Sequence, residues 1–214
     1  MATEALNVRI ARQLLEIKAV FLRPDEPFTW ASGIKSPIYT DNRLTLTAPQ
    51  VREQVERGLA QTIQQYFPQA QVLMGTATAG IAHAAITAHL LNLPMGYVRS
   101  SAKSHGRNNR IEGRLEPGAK VVVVEDLIST AGSVGDVVAA VREAGAEVLG
   151  IVSIFTYGMA AADQRLHDIG VANHSLTDFD TVINVAAAEG YIQPSDVERL
   201  LAFRANPADE SWIA

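Results

Sequence analysis

The chain has 214 residues, of which 48% are apolar and 19% charged, with a formal net charge of −5. That supplies a real core for one large domain, and the acidic balance excludes broad nucleic-acid binding, which needs a basic footprint. No cysteine is present, which excludes disulfides, thiolate nucleophiles and cysteine-type zinc sites. Charges at Glu4, Arg9, Arg12 and Glu16 interrupt the N-terminus, so no signal peptide is read there. No run of about 18 apolar residues occurs, so no membrane span is expected. With the missing cysteines, this points to a cytoplasmic protein.

In chain order, Leu6, Ile10, Leu14 and Ile17 recur at helical spacing and predict an amphipathic first helix. FTWASGIKSPIYTDNRL, residues 28–44, reads as short extended pieces broken by turns at Ser32-Gly33 and Ser36-Pro37. Thr47-Ala48-Pro49 opens a helix to about Tyr66. Strands and helices then alternate. Strands are predicted at 71–75, 95–98, 120–126 and 147–155, and helices at 80–91 and 133–145. Two further helices are expected near 178–188 and 195–205, and residues 206–214 read as a tail. Strands apolar throughout, alternating with helices, predict an α/β fold with a mostly parallel sheet covered on both faces. No repeat or linker divides the chain, so 1–214 reads as one domain.

VVVVEDLISTAGS, residues 121–133, runs from four valines into two acids and then into small hydroxyl residues. In open α/β sheets, ligands bind outside the carboxyl ends of the strands, and Glu125 and Asp126 fall at such an end. Small residues before a helix offer free N–H groups and a positive dipole end, which hold a phosphate. Two acids would repel that phosphate, but they suit sugar hydroxyls or a magnesium-bound group on the same ligand. The stretch therefore reads as sugar diols beside a monophosphate. The alternative is a buried strand and a capped helix with merely solvated acids. Neither GxxxxGK[ST] nor GxGxxG occurs, so a P-loop and a dinucleotide fold are disfavoured.

A second constellation, RSSAKSHGRNNRIEGR at 99–114, gathers Arg99, Lys103, His105, Arg107, Arg110 and Arg114 in an otherwise acidic chain. Two glycines and few apolar anchors predict a loop that is mobile without ligand. Such a loop can close over a polyanion and neutralise charge on a leaving group such as pyrophosphate. The alternative is an ordinary solvated basic loop. The five histidines show no convincing metal-ligand spacing, and those outside the loop are expected to be structural or surface residues. Trp212 is read as packing, and Trp30 as packing or base-adjacent.

Residues 121–133 resemble the phosphoribosyl-pyrophosphate (PRPP) signature of the type I phosphoribosyltransferases. Ala102-Lys103-Ser104-His105-Gly106 resembles the catalytic loop of the orotate phosphoribosyltransferases. FTWASGIKSPIYTDNR resembles that family's N-terminal motif in a short bacterial form. The likeness spans roughly residues 20–160.

The resemblance implies a type I fold with a small N-terminal hood over about 1–45. It also implies transfer of phosphoribose from PRPP to orotate, giving orotidine 5′-monophosphate and pyrophosphate in UMP synthesis. Glu125 and Asp126 would hold the ribose hydroxyls. Leu127, Ile128, Ser129, Thr130, Ala131, Gly132 and Ser133 would form the 5′-phosphate loop, with Ser129 also near orotate. Arg99, Lys103 and His105 would contact pyrophosphate. With Asp126 they form the expected catalytic set. Backbone around 30–33 and the 36–39 stretch would flank the base, with Lys35 and Tyr39 as orotate candidates.

The family further implies Mg2+ carried by PRPP and water, with no protein metal site. It also implies a homodimer whose catalytic loop reaches the neighbouring subunit. Many relatives have Lys where this chain has Ala31, Ala79 and Ser100, and Arg where it has Tyr157. The groups holding the orotate carboxylate therefore stay open, with Lys35 and Arg43 as substitutes.

Two other functions compete. One is a PRPP-dependent transferase for another base, against which the first 45 residues argue. The other is a non-catalytic PRPP-sensing regulator, which should carry a basic surface or an added DNA-binding module.

Overall fold

The structure, a computed structural model, describes residues 4–30, 33–100 and 110–213. Its first part holds α1 (Leu6–Glu16), β1 (Val20–Leu22), β2 (Phe28–Thr29), β3 (Lys35–Ser36), β4 (Ile38–Thr40), a 3₁₀ turn (Asn42–Thr47) and α2 (Pro49–Tyr66). The middle holds β5 (Val72–Thr76), α3 (Gly80–Leu91), β6 (Met95–Val98), β7 (Ile111–Glu112), β8 (Lys120–Ile128) and α4 (Gly132–Glu143). Then follow β9 (Glu147–Thr156), α5 (Ala160–Asp168), β10 (Asn173–Asp178), α6 (Phe179–Ala188), α7 (Asp196–Ala205) and a last 3₁₀ turn (Ser211–Ile213).

Six strands form the central sheet in the order β10-β9-β8-β5-β6-β7. All neighbours pair in parallel except β6 and β7. The four valines of β8 explain the layering. Val121 and Val123 pack into the cluster that holds α4 and α5. Val122 and Val124 pack into the cluster that holds α1, α2, α3, α6 and α7. All four are fully buried. A strand can bury successive residues this way only when both faces of its sheet are covered. The expected α/β class with a mostly parallel sheet is what the chain adopts.

Most element boundaries move by one or two residues, which is the usual uncertainty at frayed ends. The strand expected to stop at Asp126 continues to Ile128, so both acids lie within β8. Two larger elements were not anticipated. β10, NHSLTD, carries no apolar alternation, because Ser153 Oγ lies 3.1 Å from Asn173 Oδ1 and 2.7 Å from Ser175 Oγ. Hydrogen bonds between side chains replace apolar packing there. α5 buries only Ala162 and Leu166, too few for a periodic signal. β1 and β7 are also additional.

A polar group lies buried between α2 and α3. Glu56 Oε1 is 2.6 Å from His83 Nδ1, and Thr87 donates to Glu56 Oε2 at 2.9 Å. His83 thus has a structural role. The last residues are also packed. Trp212 is 3% exposed and lies edge-on to Phe203 at 5.6 Å. Arg199 donates to the Trp212 and Pro24 carbonyls, both at 3.0 Å, and pairs with Asp25 at 2.9 Å. One guanidinium on α7 therefore ties the C-terminal turn to the chain between β1 and β2.

α3 begins hard against β8. A methyl at Gly80 would lie 2.5 Å from the Val124 carbonyl oxygen, well inside contact distance. Gly80→Ala is expected to lower stability by roughly 1–3 kcal/mol and to disturb the strand end that carries Glu125. Urea unfolding together with turnover on the same sample checks this, and an unchanged midpoint would show that the helix can slide without cost.

Candidate active site

The register places three strand ends side by side. Thr76 pairs with Val98, and Gly75 with Val124. Arg99, the 77–79 connection and the Glu125-Asp126 pair thus line one edge of the sheet at its carboxyl end. Ligand sites in open α/β sheets lie there.

Glu125 is 5% exposed and Asp126 is half-buried. The Asp126 amide donates to Glu125 Oε1 at 2.9 Å. Burial pushes the Glu125 carboxyl well above its ordinary value, and the neighbouring Asp126 adds to this. A buried carboxyl so displaced at the carboxyl end of a sheet strand is a common mark of functional positions. Thr76, 4% exposed, lies beside Glu125, and its hydroxyl offsets part of that rise. The Ala77–Thr78 peptide is cis.

Beyond Ile128 the chain turns through Ser129 and Thr130 into Ala131, whose φ of 58° is left-handed. Such backbone is unusual for alanine and recurs at ligand clamps. Ala131 supplies no side-chain cap to α4. The first N–H groups of a helix have no intrahelical partner, so this uncapped end can receive an anion. Thr130 and Ser133 are exposed, and Ser129 and Gly132 are half-buried. Arg165 of α5 lies across this end, its Nη1 2.8 Å from where a Cβ on Gly132 would sit.

The Arg99 amide donates to the Arg110 carbonyl at 2.9 Å, and Arg110 Nε donates to the Arg99 carbonyl at 2.8 Å. Arg99 Nη1 also pairs with Glu112 Oε1 at 3.3 Å. Arg99 and Arg110 therefore bracket residues 101–109. Lys103, His105 and Arg107 fall in that segment, outside the described residues.

The N-terminal pieces reach the same edge. Tyr39 is 43% exposed, and its ring lies 5.7 Å from that of Phe28. Lys35 Nζ donates to Thr29 Oγ1 at 2.8 Å. Arg43 is clamped at two points by Asp41, at 2.7 and 2.9 Å, which lowers the Asp41 carboxyl below its ordinary value. Tyr157 is 3% exposed, and burial pushes its phenol up to about 12. It lies edge-on to Trp30 and approaches Thr40 Oγ1 at 3.4 Å. Trp30 therefore packs into the aromatic cluster. Ala31 lies outside the described residues.

One contact was missed from the sequence. Asn42, 1% exposed, donates through Nδ2 to the Asp126 carbonyl at 2.7 Å. It stands within the TDNR motif, but nothing local marks an asparagine there as inward-facing.

The phosphoribosyl transferase domain family matches residues 44–189. An orotate phosphoribosyltransferase of Bacillus cytotoxicus is 57% identical over 97% of this chain and 99% of its own length. The chain belongs to the orotate phosphoribosyltransferase family. A solved orotate phosphoribosyltransferase of Aeropyrum pernix, 28% identical, superposes with a TM-score of 0.74 over 86% of this chain and 99% of that one. UMP synthase of Leishmania donovani, 25% identical, superposes with a TM-score of 0.78 over 92% of this chain and 42% of that one. The family's type I fold is the one described above.

Proposed function

We propose that the protein transfers the phosphoribosyl group of PRPP to orotate, releasing pyrophosphate. The observation that carries this reading is the Glu125-Asp126 pair at the end of β8, followed by the uncapped N-terminus of α4. The acids accept hydrogen bonds from the ribose 2′ and 3′ hydroxyls. The 129–133 turn takes the 5′-phosphate on its backbone N–H groups and hydroxyls. The anomeric carbon is then held facing the N-terminal segment, whose Tyr39 and Lys35 flank the base together with Ser129 of the turn.

The bond between the anomeric carbon and pyrophosphate breaks, its electron pair leaving with pyrophosphate. A ring nitrogen of orotate forms the new bond to that carbon and loses its proton to water or to the departing pyrophosphate. Positioning and fixed charge supply the acceleration, with no covalent intermediate on the protein. Arg99 and Lys103 stabilise charge on the departing group, and His105 donates a hydrogen bond or a proton there.

Magnesium usually keeps several waters and binds through substrate phosphates, so in this reading PRPP and water carry it, with no protein ligand. When bound, the ion neutralises and orients pyrophosphate.

A homodimer with the 99–114 loop acting across the interface is part of this reading. The apolar helix α3 leaves Ala85 and Leu90 outward, which supports such a partner face. Among the described residues no helix is long and apolar enough to cross a membrane. The cysteine-free chain suits the reducing cytoplasm we propose for it.

The decisive assay incubates the protein with PRPP, magnesium and a panel of bases while following base loss and pyrophosphate release. Orotate consumption is expected. Turnover of hypoxanthine, guanine or uracil without orotate would replace this reading by another transferase.

A further inference from the structure

Asp126 is held from two sides. Its N–H donates to Glu125 Oε1 at 2.9 Å, and its carbonyl accepts from Asn42 Nδ2 at 2.7 Å. Peptide units are planar, so pinning the units on both sides of a Cα fixes the two soft torsions between them. The direction of the Asp126 side chain follows from those torsions. Asn42 is 1% exposed, and its own carbonyl accepts from Thr45 Oγ1 at 2.6 Å, which locks it into the 3₁₀ turn. Its Oδ1 is buried without a partner among the described residues. The buried amide is therefore kept in place at some cost, for the one bond its Nδ2 makes.

Asn42 also belongs to the segment that carries Tyr39 and the Asp41–Arg43 clamp. Its bond spans 84 positions of sequence, joining the segment that flanks the base to the acid that flanks the sugar.

We propose that Asn42 is a positioning residue that orients Asp126 toward the ribose hydroxyls and keeps the base-flanking segment in register with it. This rests on the reading of Asp126 as a ribose ligand. Loss of the donor removes this bond to the Asp126 carbonyl and with it the tie between the 3₁₀ turn and the end of β8.

Two variants test it. Asn42→Ala removes the amide. Asn42→Asp keeps the shape but sets a carboxylate oxygen against the carbonyl. Steady-state kinetics at 25 °C, well below each melting temperature, should show kcat/KM for PRPP reduced about tenfold or more in both. Magnesium-PRPP affinity by calorimetry should weaken in parallel. A merely structural residue would lower the melting temperature and leave both quantities unchanged, and that result overturns the proposal. So does a loss confined to the KM for orotate. Should Asn42→Ala fail to fold, the isosteric Asn42→Asp carries the test. Wild-type protein run alongside separates the two readings. If it does not consume orotate, the proposed function fails, whereas an active wild type with unaffected variants sinks only the role of Asn42.

Discussion

Lys103→Ala is expected to lower kcat on the order of 100- to 1000-fold, the usual cost of removing one group that stabilises transition-state charge. PRPP affinity should change far less. The reason is where charge appears: pyrophosphate gains negative charge only as its bond to the sugar breaks, so a cation aimed at it acts mainly on the transition state. Stopped turnover with retained magnesium-PRPP binding is the expected signature. Equal losses in both would mean that Lys103 acts on the ground state instead. The same variant tests the dimer. Mixing inactive Lys103→Ala chains with inactive Asp126→Asn chains should restore part of the activity if the loop serves its neighbour's site. No recovery, with subunit exchange verified, would confine each loop to its own subunit.

The second large effect concerns Glu125. Its carboxyl is raised above the ordinary value, first by burial and then by Asp126. The folded state therefore holds that proton more tightly than the unfolded chain. The favourable contribution is complete below about pH 4.5 and is lost as pH rises through the raised folded value. Above that window a buried charge opposes folding. Glu125→Gln keeps an acceptor for the Asp126 N–H and removes the charge. The variant is expected to be more stable than wild type at high pH, with the gap opening as pH rises across the window. Urea midpoints against pH for both proteins measure it, and a gap that narrows with rising pH would show the sign to be wrong. Catalysis should move the other way. Hydrogen bonds from the ribose hydroxyls to a carboxylate contribute about 1.5–3 kcal/mol, so kcat/KM for PRPP should fall roughly 10- to 100-fold. A protein stabilised and disabled by one substitution is the behaviour of an acid kept for function.

Much of the site was legible because its parts are adjacent in the chain. A strand, two acids, a turn of small residues and a helix start follow one another over 121–133, and the secondary structure places them at one point. Four consecutive valines announce a strand buried on both faces, since neither an amphipathic helix nor a half-exposed strand tolerates that run. β10 was invisible because its side chains are satisfied across strands, by Ser153 on β9, and not by periodic burial. The Arg199 bonds that hold the C-terminal turn to Pro24 and Asp25 were hidden because they too join segments far apart in the chain, whereas Trp212 was read as packing and does pack, against Phe203.

The sequence by itself thus determined the α/β class and the succession of strand, acid pair and small-residue turn, because local pattern and chain adjacency suffice for those. Only the tertiary structure decided that Tyr157 is a buried packing residue, and that Asn42 faces inward to the Asp126 carbonyl. Both depend on contacts between segments far apart in the chain, and no local propensity encodes which distant group a buried amide or phenol will meet.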